Sequence, residues 1–339
     1  MDAHAKPETA AIPHGGDISR AEAQYGPHPQ GWLDLSTGIN PNPYPIGDID
    51  AQAYSRLPLK KSIDDLRQAA MDYYGAPSPD NIVAAPGTQA LIQWLPRLRG
   101  PSRVAVVGPT YAEHARSWRS CGHTVSEIAD LEQADGSFDV VVAVNPNNPD
   151  GRRHAPETLL DLHRRLATTG GCLVVDEAFA DMTPGLSLSS HCRADGLIVL
   201  KSYGKFFGLA GLRLGFALTG AAFGGRLTEA LGPWAFSEPA AIIAAKSFRD
   251  GEWIARTRKN LIEGRQRLEA LLGDHGLDTV GGTGLFTLAQ SARAPDLHAH
   301  LASHGIWTRV FPENPAWIRF GHPGKAPDWG RLSEAFGRW

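Results

Sequence analysis

Four short apolar runs, separated by helical stretches, limit what this chain can become. RVAVVG (103–108), FDVVVAVN (138–145), GCLVVDE (171–177) and GLIVLKS (196–202) are rich in β-branched residues and bounded by turn formers. Several are apolar at consecutive positions, as in strands buried on both faces. Stretches with helical character lie between them, for example 112–120 and 156–168. This alternation predicts an α/β fold with a mostly parallel sheet between helices. Parallel sheets of that kind hold ligands beyond the carboxyl ends of their strands. The polar residues there are Tyr111 after the first run, residues 145–148 after the second, Asp176 and Glu177 at the third, and Ser202 and Lys205 after the fourth.

The alternation stops near LGPWAFSEPA (231–240). A long helix over 254–272, weaker strands near 285–288, 307–311 and 317–320, and a final helix read as a smaller α+β domain. Before the first run, a helix is expected over 62–74, capped by Ser62, with Asp64 and Asp65 in its first turn and Gly75 after its end. Residues 1–13 read as a loose arm, and 14–47 are dense in glycine and proline. With 339 residues, about two domains are expected. The division is an N-terminal segment, 1–47, contributing to the substrate site, a large domain, 48–235, and a small one, 236–339. The net charge of -3 gives no electrostatic case for nucleic acid or an anionic membrane. No apolar run approaches the roughly 20 residues of a membrane span, and the first residues lack a signal-peptide layout. Three widely spaced cysteines, Cys121, Cys172 and Cys192, argue against a disulfide framework or a zinc site and fit a reducing cytoplasm. Cys172, in an apolar run, reads as a buried inert thiol.

An amine, a carboxylate, an amide and an aromatic ring at successive strand ends can build a site for a charged aromatic cofactor. Lys205 and Arg213 lie eight positions apart in SYGKFFGLAGLRLGF (202–216), a stretch otherwise made of small, aromatic and aliphatic residues. A lysine in apolar surroundings loses its proton more readily and becomes nucleophilic toward an aldehyde. Asp176 suits a protonated ring nitrogen, Asn148 a ring oxygen, and Tyr111 a ring face. PGTQA (86–90) precedes a helix, where backbone N–H groups suit a phosphate. Ser202 and Arg213 add donors for the same anion. Taken singly, each signal is ordinary. A lysine in a glycine-rich loop is usually solvated, an aspartate at a strand end usually caps a helix or turn, and NPNNPDG (145–151) is a good turn by itself. It is their order along consecutive strand ends that is informative.

NPNNPDG, VVDEAF (174–179) and SYGKFFGLAGLRLG (202–215) resemble, in order and spacing, the three central motifs of the fold-type I aminotransferases that depend on pyridoxal 5'-phosphate. The similarity spans nearly the whole chain. It implies a three-layer αβα sandwich with a smaller α+β domain, and that cofactor. It makes Lys205 the Schiff-base lysine, Asp176 the pyridinium partner and Asn148 the ring-oxygen donor. Gly87, Thr88, Gln89, Ser202 and Arg213 would hold the phosphate, and Tyr111 would stack on the ring. The resemblance also implies a homodimer with shared sites, its contact including YSRLPL (54–59) and GPWAF (232–236). Two positions depart from the pattern. Phe179 stands where a tyrosine often donates to the ring oxygen. Leu57 precedes Pro58 where relatives place a tyrosine that reaches the partner subunit's cofactor; Tyr54 is the nearest substitute and is not assigned that role.

The flanks narrow the resemblance. HGGDI (14–18), LDLSTGINPNPYP (33–45) and TRVFPENPAWIRFGHPG (308–324) together resemble the threonine-phosphate decarboxylases of cobalamin biosynthesis, close relatives of histidinol-phosphate aminotransferases. The resemblance implies decarboxylation of L-threonine O-3-phosphate to (R)-1-amino-2-propanol O-2-phosphate. Arg319 would bind the substrate carboxylate, Arg309 and His14 its phosphate, and Asn40 would sit close to the substrate. A guanidinium offers the planar fork that carboxylate and phosphate oxygens match. Without these flanks, Arg309 reads as a surface charge, Arg319 as half of a salt bridge, and His14 as a loop histidine. An aminotransferase of the histidinol-phosphate type remains the alternative, because the same residues serve either reaction and substrate orientation decides. A non-catalytic regulator that keeps such a domain usually carries an added DNA-binding module, and this sequence shows neither spare length nor a basic helix for one. A nicotinamide-binding α/β protein is disfavoured, because no G-x-G-x-x-G follows the first strand of this sequence.

Overall fold

The computed structural model describes residues 14–339, so the arm expected over 1–13 lies outside the described residues. Helix Ile18–Tyr25 comes first and is followed by a two-residue strand, β1 (Leu33–Asp34). Seven strands then form the main sheet: β2 (Ile82–Ala85), β3 (Arg103–Val107), β4 (Thr124–Ile128), β5 (Val140–Val144), β6 (Cys172–Asp176), β7 (Leu197–Ser202) and β8 (Gly215–Thr219). Their spatial order is β2-β8-β7-β6-β5-β3-β4. The run from β4 to β7 is parallel, while β8 is antiparallel to both neighbours. The sequence motifs for β3, β5, β6 and β7 thus fall on adjacent parallel strands.

Alternation along these strands makes the layers. Val141, Ala143, Leu173, Val175, Leu197 and Val199 enter the core on one face of the sheet. Their neighbours Val140, Val142, Cys172, Val174, Ile198 and Leu200 enter the core on the other. Burial on both faces is why the runs read as continuously apolar. Cys172 is buried and its thiol is pushed up to about 12 by that burial, so it is inert, and all three cysteines are free.

The C-terminal part carries a second sheet: β9 (Asp278–Thr283), β10 (Phe286–Gln290), β12 (Arg309–Phe311) and β13 (Asn314–Gly321), in the order β12-β13-β10-β9 and antiparallel throughout. The short β11 (Ile306–Trp307) pairs in parallel with β1, which ties the N-terminal segment to this region. Helix Gly251–Asp274 precedes the sheet and helix Ala326–Phe336 ends the chain. Helix Glu238–Phe248 packs on helix Lys60–Tyr74, and both contribute to the core on one face of the main sheet.

Helix Lys60–Tyr74 ends at Gly75, which adopts φ 70° and ψ 31° as a left-handed cap should. Its start differs from the expectation. Ser62 lies inside the first turn, and its hydroxyl donates to Glu238 Oε1 at 2.7 Å. The backbone N–H of Leu59 donates to Glu238 Oε2 at 2.8 Å. A buried carboxylate from another helix thus supplies the N-terminal acceptor in place of Ser62.

The segment around Asn40 braces the turn that carries Lys205. Asn40 N–H donates to the Lys205 carbonyl at 2.9 Å, its side-chain amide donates to the Phe206 carbonyl at 2.9 Å, and Tyr44 N–H donates to the Phe207 carbonyl at 2.9 Å. No helix among the described residues is long and apolar enough to cross a membrane. Tyr54 and Trp234 are 67% and 55% exposed, and Leu57 and Leu59 are exposed beside Tyr54.

Candidate active site

A cavity of about 760 Å³ opens at the carboxyl ends of the parallel strands. Twelve of the thirteen residues singled out from the sequence line it: His14, Gly87, Thr88, Gln89, Tyr111, Asn148, Asp176, Ser202, Lys205, Arg213, Arg309 and Arg319. Asn40 does not. Its side-chain amide is spent on the Phe206 carbonyl and its side-chain oxygen on the N–H of Asn42. It therefore braces the Lys205 turn and is not among the residues that line the cavity.

Lys205 lies in the four-residue turn Tyr203–Phe206 that follows β7. Its pKa is lowered to about 8, first by burial, then by the nearby Arg319 and Arg213, with Asp176 pulling the other way. The amine also lies 5.7 Å from the centre of the Phe179 ring. Asp176 closes β6 and is buried. One of its carboxylate oxygens accepts from the Ala178 N–H at 3.0 Å, and the other is 2.9 Å from His114 Nε2. His114, 1% exposed, was not singled out from the sequence; its only signal was a histidine three residues after Tyr111.

The opposite wall is built for an anion. Gly87 precedes helix Thr88–Arg97 with φ 82°, and a Cβ there would stand 2.8 Å from an Arg213 guanidinium nitrogen. Glycine is therefore required by the positive-φ backbone, and it also leaves room for the Arg213 guanidinium to approach. The first N–H groups of that helix have no intrahelical partner and, with the helix dipole, favour a phosphate. Tyr111, above the floor, donates to Gln89 Oε1 at 3.2 Å, and burial pushes its hydroxyl up to about 12. Its ring is positioned as a wall rather than as an acid.

The third wall comes from the small sheet. Arg309 on β12 and Arg319 on β13 are directly opposite in the antiparallel register, so both side chains project from the same face. Arg319 is buried; it donates to the Asn148 side-chain oxygen and, at 2.8 Å, to the Ser36 carbonyl, while its Nε has no partner among the described residues. Burial, with Arg309 beside it, lowers its pKa to about 10. Neither guanidinium has a carboxylate within ion-pair distance among the described residues. Two cations facing one cavity with no carboxylate in ion-pair contact among the described residues, only Glu313 and Asp34 farther off, are costly until an anion arrives.

A buried amine of lowered pKa, a carboxylate across from it, an aromatic wall and an anion cradle together fit a phosphorylated aromatic aldehyde. No cluster of histidine, cysteine, aspartate and glutamate suited to a metal occurs among the described residues.

Comparison with known families agrees. The model of aminotransferase class I and II matches residues 48–335, and the chain belongs to that family. Within it, the chain is 44% identical over 336 residues to a threonine-phosphate decarboxylase of Sinorhizobium sp, covering 97% of this chain and 99% of that protein. It is 46% identical over 326 residues to a threonine-phosphate decarboxylase of Pseudomonas aeruginosa, covering 96% and 97%. Among solved structures, the histidinol-phosphate aminotransferase of Sinorhizobium meliloti in complex with pyridoxal-5'-phosphate superposes with a TM-score of 0.80 at 21% identity, covering 100% of this chain and 98% of that one. The fold is thus that of the pyridoxal phosphate-dependent aminotransferases: a mostly parallel mixed sheet with helices, and a smaller antiparallel sheet toward the C-terminus.

Proposed function

We propose that this chain is a pyridoxal 5'-phosphate-dependent decarboxylase that converts L-threonine O-3-phosphate to (R)-1-amino-2-propanol O-2-phosphate and CO2, a step of cobalamin biosynthesis. The observation that carries this reading is the facing pair Arg309 and Arg319. Two guanidinium groups on one face, with no carboxylate in ion-pair contact among the described residues, suit a substrate with two anionic ends. The near-full-length identity to two threonine-phosphate decarboxylases supports the same substrate.

Pyridoxal 5'-phosphate, when bound, supplies the electron sink for the pair left at the substrate Cα. Gly87, Thr88, Gln89, Ser202 and Arg213 would hold its phosphate, Tyr111 would cover its ring, Asn148 would donate to its ring oxygen, and Asp176 would pair with its ring nitrogen. Arg319 accepts the substrate carboxylate, and Arg309 with His14 the substrate phosphate. Held at both ends, the substrate presents its Cα–carboxylate bond in one orientation. That bond breaks, CO2 departs leaving its electron pair at the Cα side, and Lys205 or a nearby water then returns the proton that forms the new C–H bond. Arg319 loses its anionic partner in this step. Its contribution is therefore orientation, because an ion pair that weakens toward the transition state does not lower the barrier.

We infer a homodimer in which the exposed Tyr54, Leu57, Leu59 and Trp234 lie at the subunit contact. We place the N-terminal segment with the substrate site and the enzyme in the cytoplasm, in keeping with its free thiols. The test is CO2 release from L-threonine O-3-phosphate with and without 2-oxoglutarate. Release independent of the oxo acid supports decarboxylation. Amino transfer that requires the oxo acid and yields no CO2 makes the enzyme an aminotransferase.

A further inference from the structure

Glu113 opens helix Glu113–Ser120 and is 6% exposed. Buried carboxylates are paired, and what matters here is with what. One oxygen accepts from Gln89 Nε2 at 3.1 Å. The other lies 3.3 Å from His14 Nε2 and 3.4 Å from Arg116 Nη1. All three partners line the active-site cavity. A carboxylate placed only to stabilise its helix start would answer to backbone N–H groups or to surface cations. Besides Arg116, a surface cation of its own helix, Glu113 joins residues from two other segments, Gln89 and His14, around one opening. Gln89 passes the contact on, since its side-chain oxygen accepts from the Tyr111 hydroxyl at 3.2 Å.

His14 needs such an anchor. Its side chain is 47% exposed, and its ring meets Tyr111 only obliquely, with centroids 5.9 Å apart. The chain after it is fixed: Gly16 N–H donates to the Ser36 hydroxyl at 2.7 Å, and a Cβ on Gly15 would stand 2.3 Å from the Ser36 carbonyl oxygen. The backbone is therefore held against the segment around Ser36, while the imidazole depends on Glu113.

Building on the proposed function, we propose that Glu113 is a positioning residue with two arms: one holds His14 at the phosphate-binding end of the substrate site, and the other, through Gln89, holds Tyr111 over the cofactor position. The two arms can be separated. Glu113→Gln keeps an oxygen for the Gln89 amide and removes the charge that faces His14. Glu113→Ala removes both arms.

The first measurement uses inorganic phosphate as probe, titrated calorimetrically into holoenzyme, and needs no turnover. Glu113→Gln weakens phosphate binding about tenfold, His14→Ala weakens it similarly, and the double variant is no worse than His14→Ala alone. Cofactor affinity, followed by absorbance, stays within about threefold in Glu113→Gln and falls at least about tenfold in Glu113→Ala. With L-threonine O-3-phosphate, Glu113→Gln raises KM about tenfold and changes kcat less than threefold. Phosphate affinity unchanged in Glu113→Gln, or losses that add fully with His14→Ala, overturn the proposal. Wild-type enzyme that binds phosphate in this Glu113-dependent way yet releases no CO2 refutes the proposed reaction and leaves the positioning role standing.

Discussion

The lowered pKa of Lys205 can be tested without substrate. Apoenzyme captures pyridoxal phosphate only through the neutral amine. A pKa near 8 in place of 10.5 is a shift that corresponds to about 3 kcal/mol against the charged form. At pH 7 about a tenth of the amine is neutral, against about 0.03% for an ordinary lysine, so capture should be about 300 times faster than an unperturbed amine allows. The assay is stopped-flow absorbance of apoenzyme mixed with pyridoxal phosphate between pH 6 and 10. The rate should rise about tenfold per pH unit below the midpoint and level off above about 8. The signs in variants follow from the neighbours. Arg319→Gln removes a cation that disfavours the ammonium, so the midpoint moves up; Asp176→Asn removes an anion that favours it, so the midpoint moves down. The same shift affects apoenzyme stability. The unfolded chain retains its proton up to about 10.5 while the folded one loses it near 8, so stability rises between those values and the penalty is fully present below them. A capture rate that keeps rising past pH 10, or variant midpoints that move the other way, refutes this account of Lys205.

Further outcomes follow from the geometry. Arg309→Lys and Arg319→Lys each lose a planar fork and should raise KM for threonine phosphate about 10- to 100-fold, from initial-rate kinetics. Gly87→Ala forces a side chain into a backbone at φ 82° and against Arg213; cofactor affinity should fall at least about tenfold by absorbance titration. Lys201 and Glu177 form a buried ion pair next to the site. Breaking it with Lys201→Met should cost about 3–5 kcal/mol in urea unfolding, and adding Glu177→Leu should recover part of that loss.

Much of the site was legible because its chemistry sits at strand ends, and those strands announce themselves. The valine runs of β5 and β6 can hardly be anything but buried strands, and Asp176 and Asn148 follow from where they end. Three strands of the main sheet escaped for physical reasons. β4, TVSEI, lies at the sheet edge and is half solvated, so it shows no apolar run. β8, GFALT, is hidden behind the glycine-rich motif that carries Lys205 and Arg213. β2, IVAA, is too short to stand out. Pairings across the chain were invisible as well. Nothing local to Ser62 reveals Glu238, nothing near Asn40 reveals the Phe206 carbonyl, and neither His114 nor Glu113 shows its partner. These contacts exist only once distant segments meet, and they fix the orientation of residues that the motifs had already identified.

The reaction is tested most directly by running it in D2O and weighing the product. Loss of the carboxylate and return of one solvent proton at Cα predicts aminopropanol phosphate carrying a single carbon-bound deuterium, with one CO2 released per molecule. Threonine phosphate recovered with deuterium at Cα and no CO2, or a keto acid in place of the amine, would show that the Cα–H bond is the one this enzyme breaks.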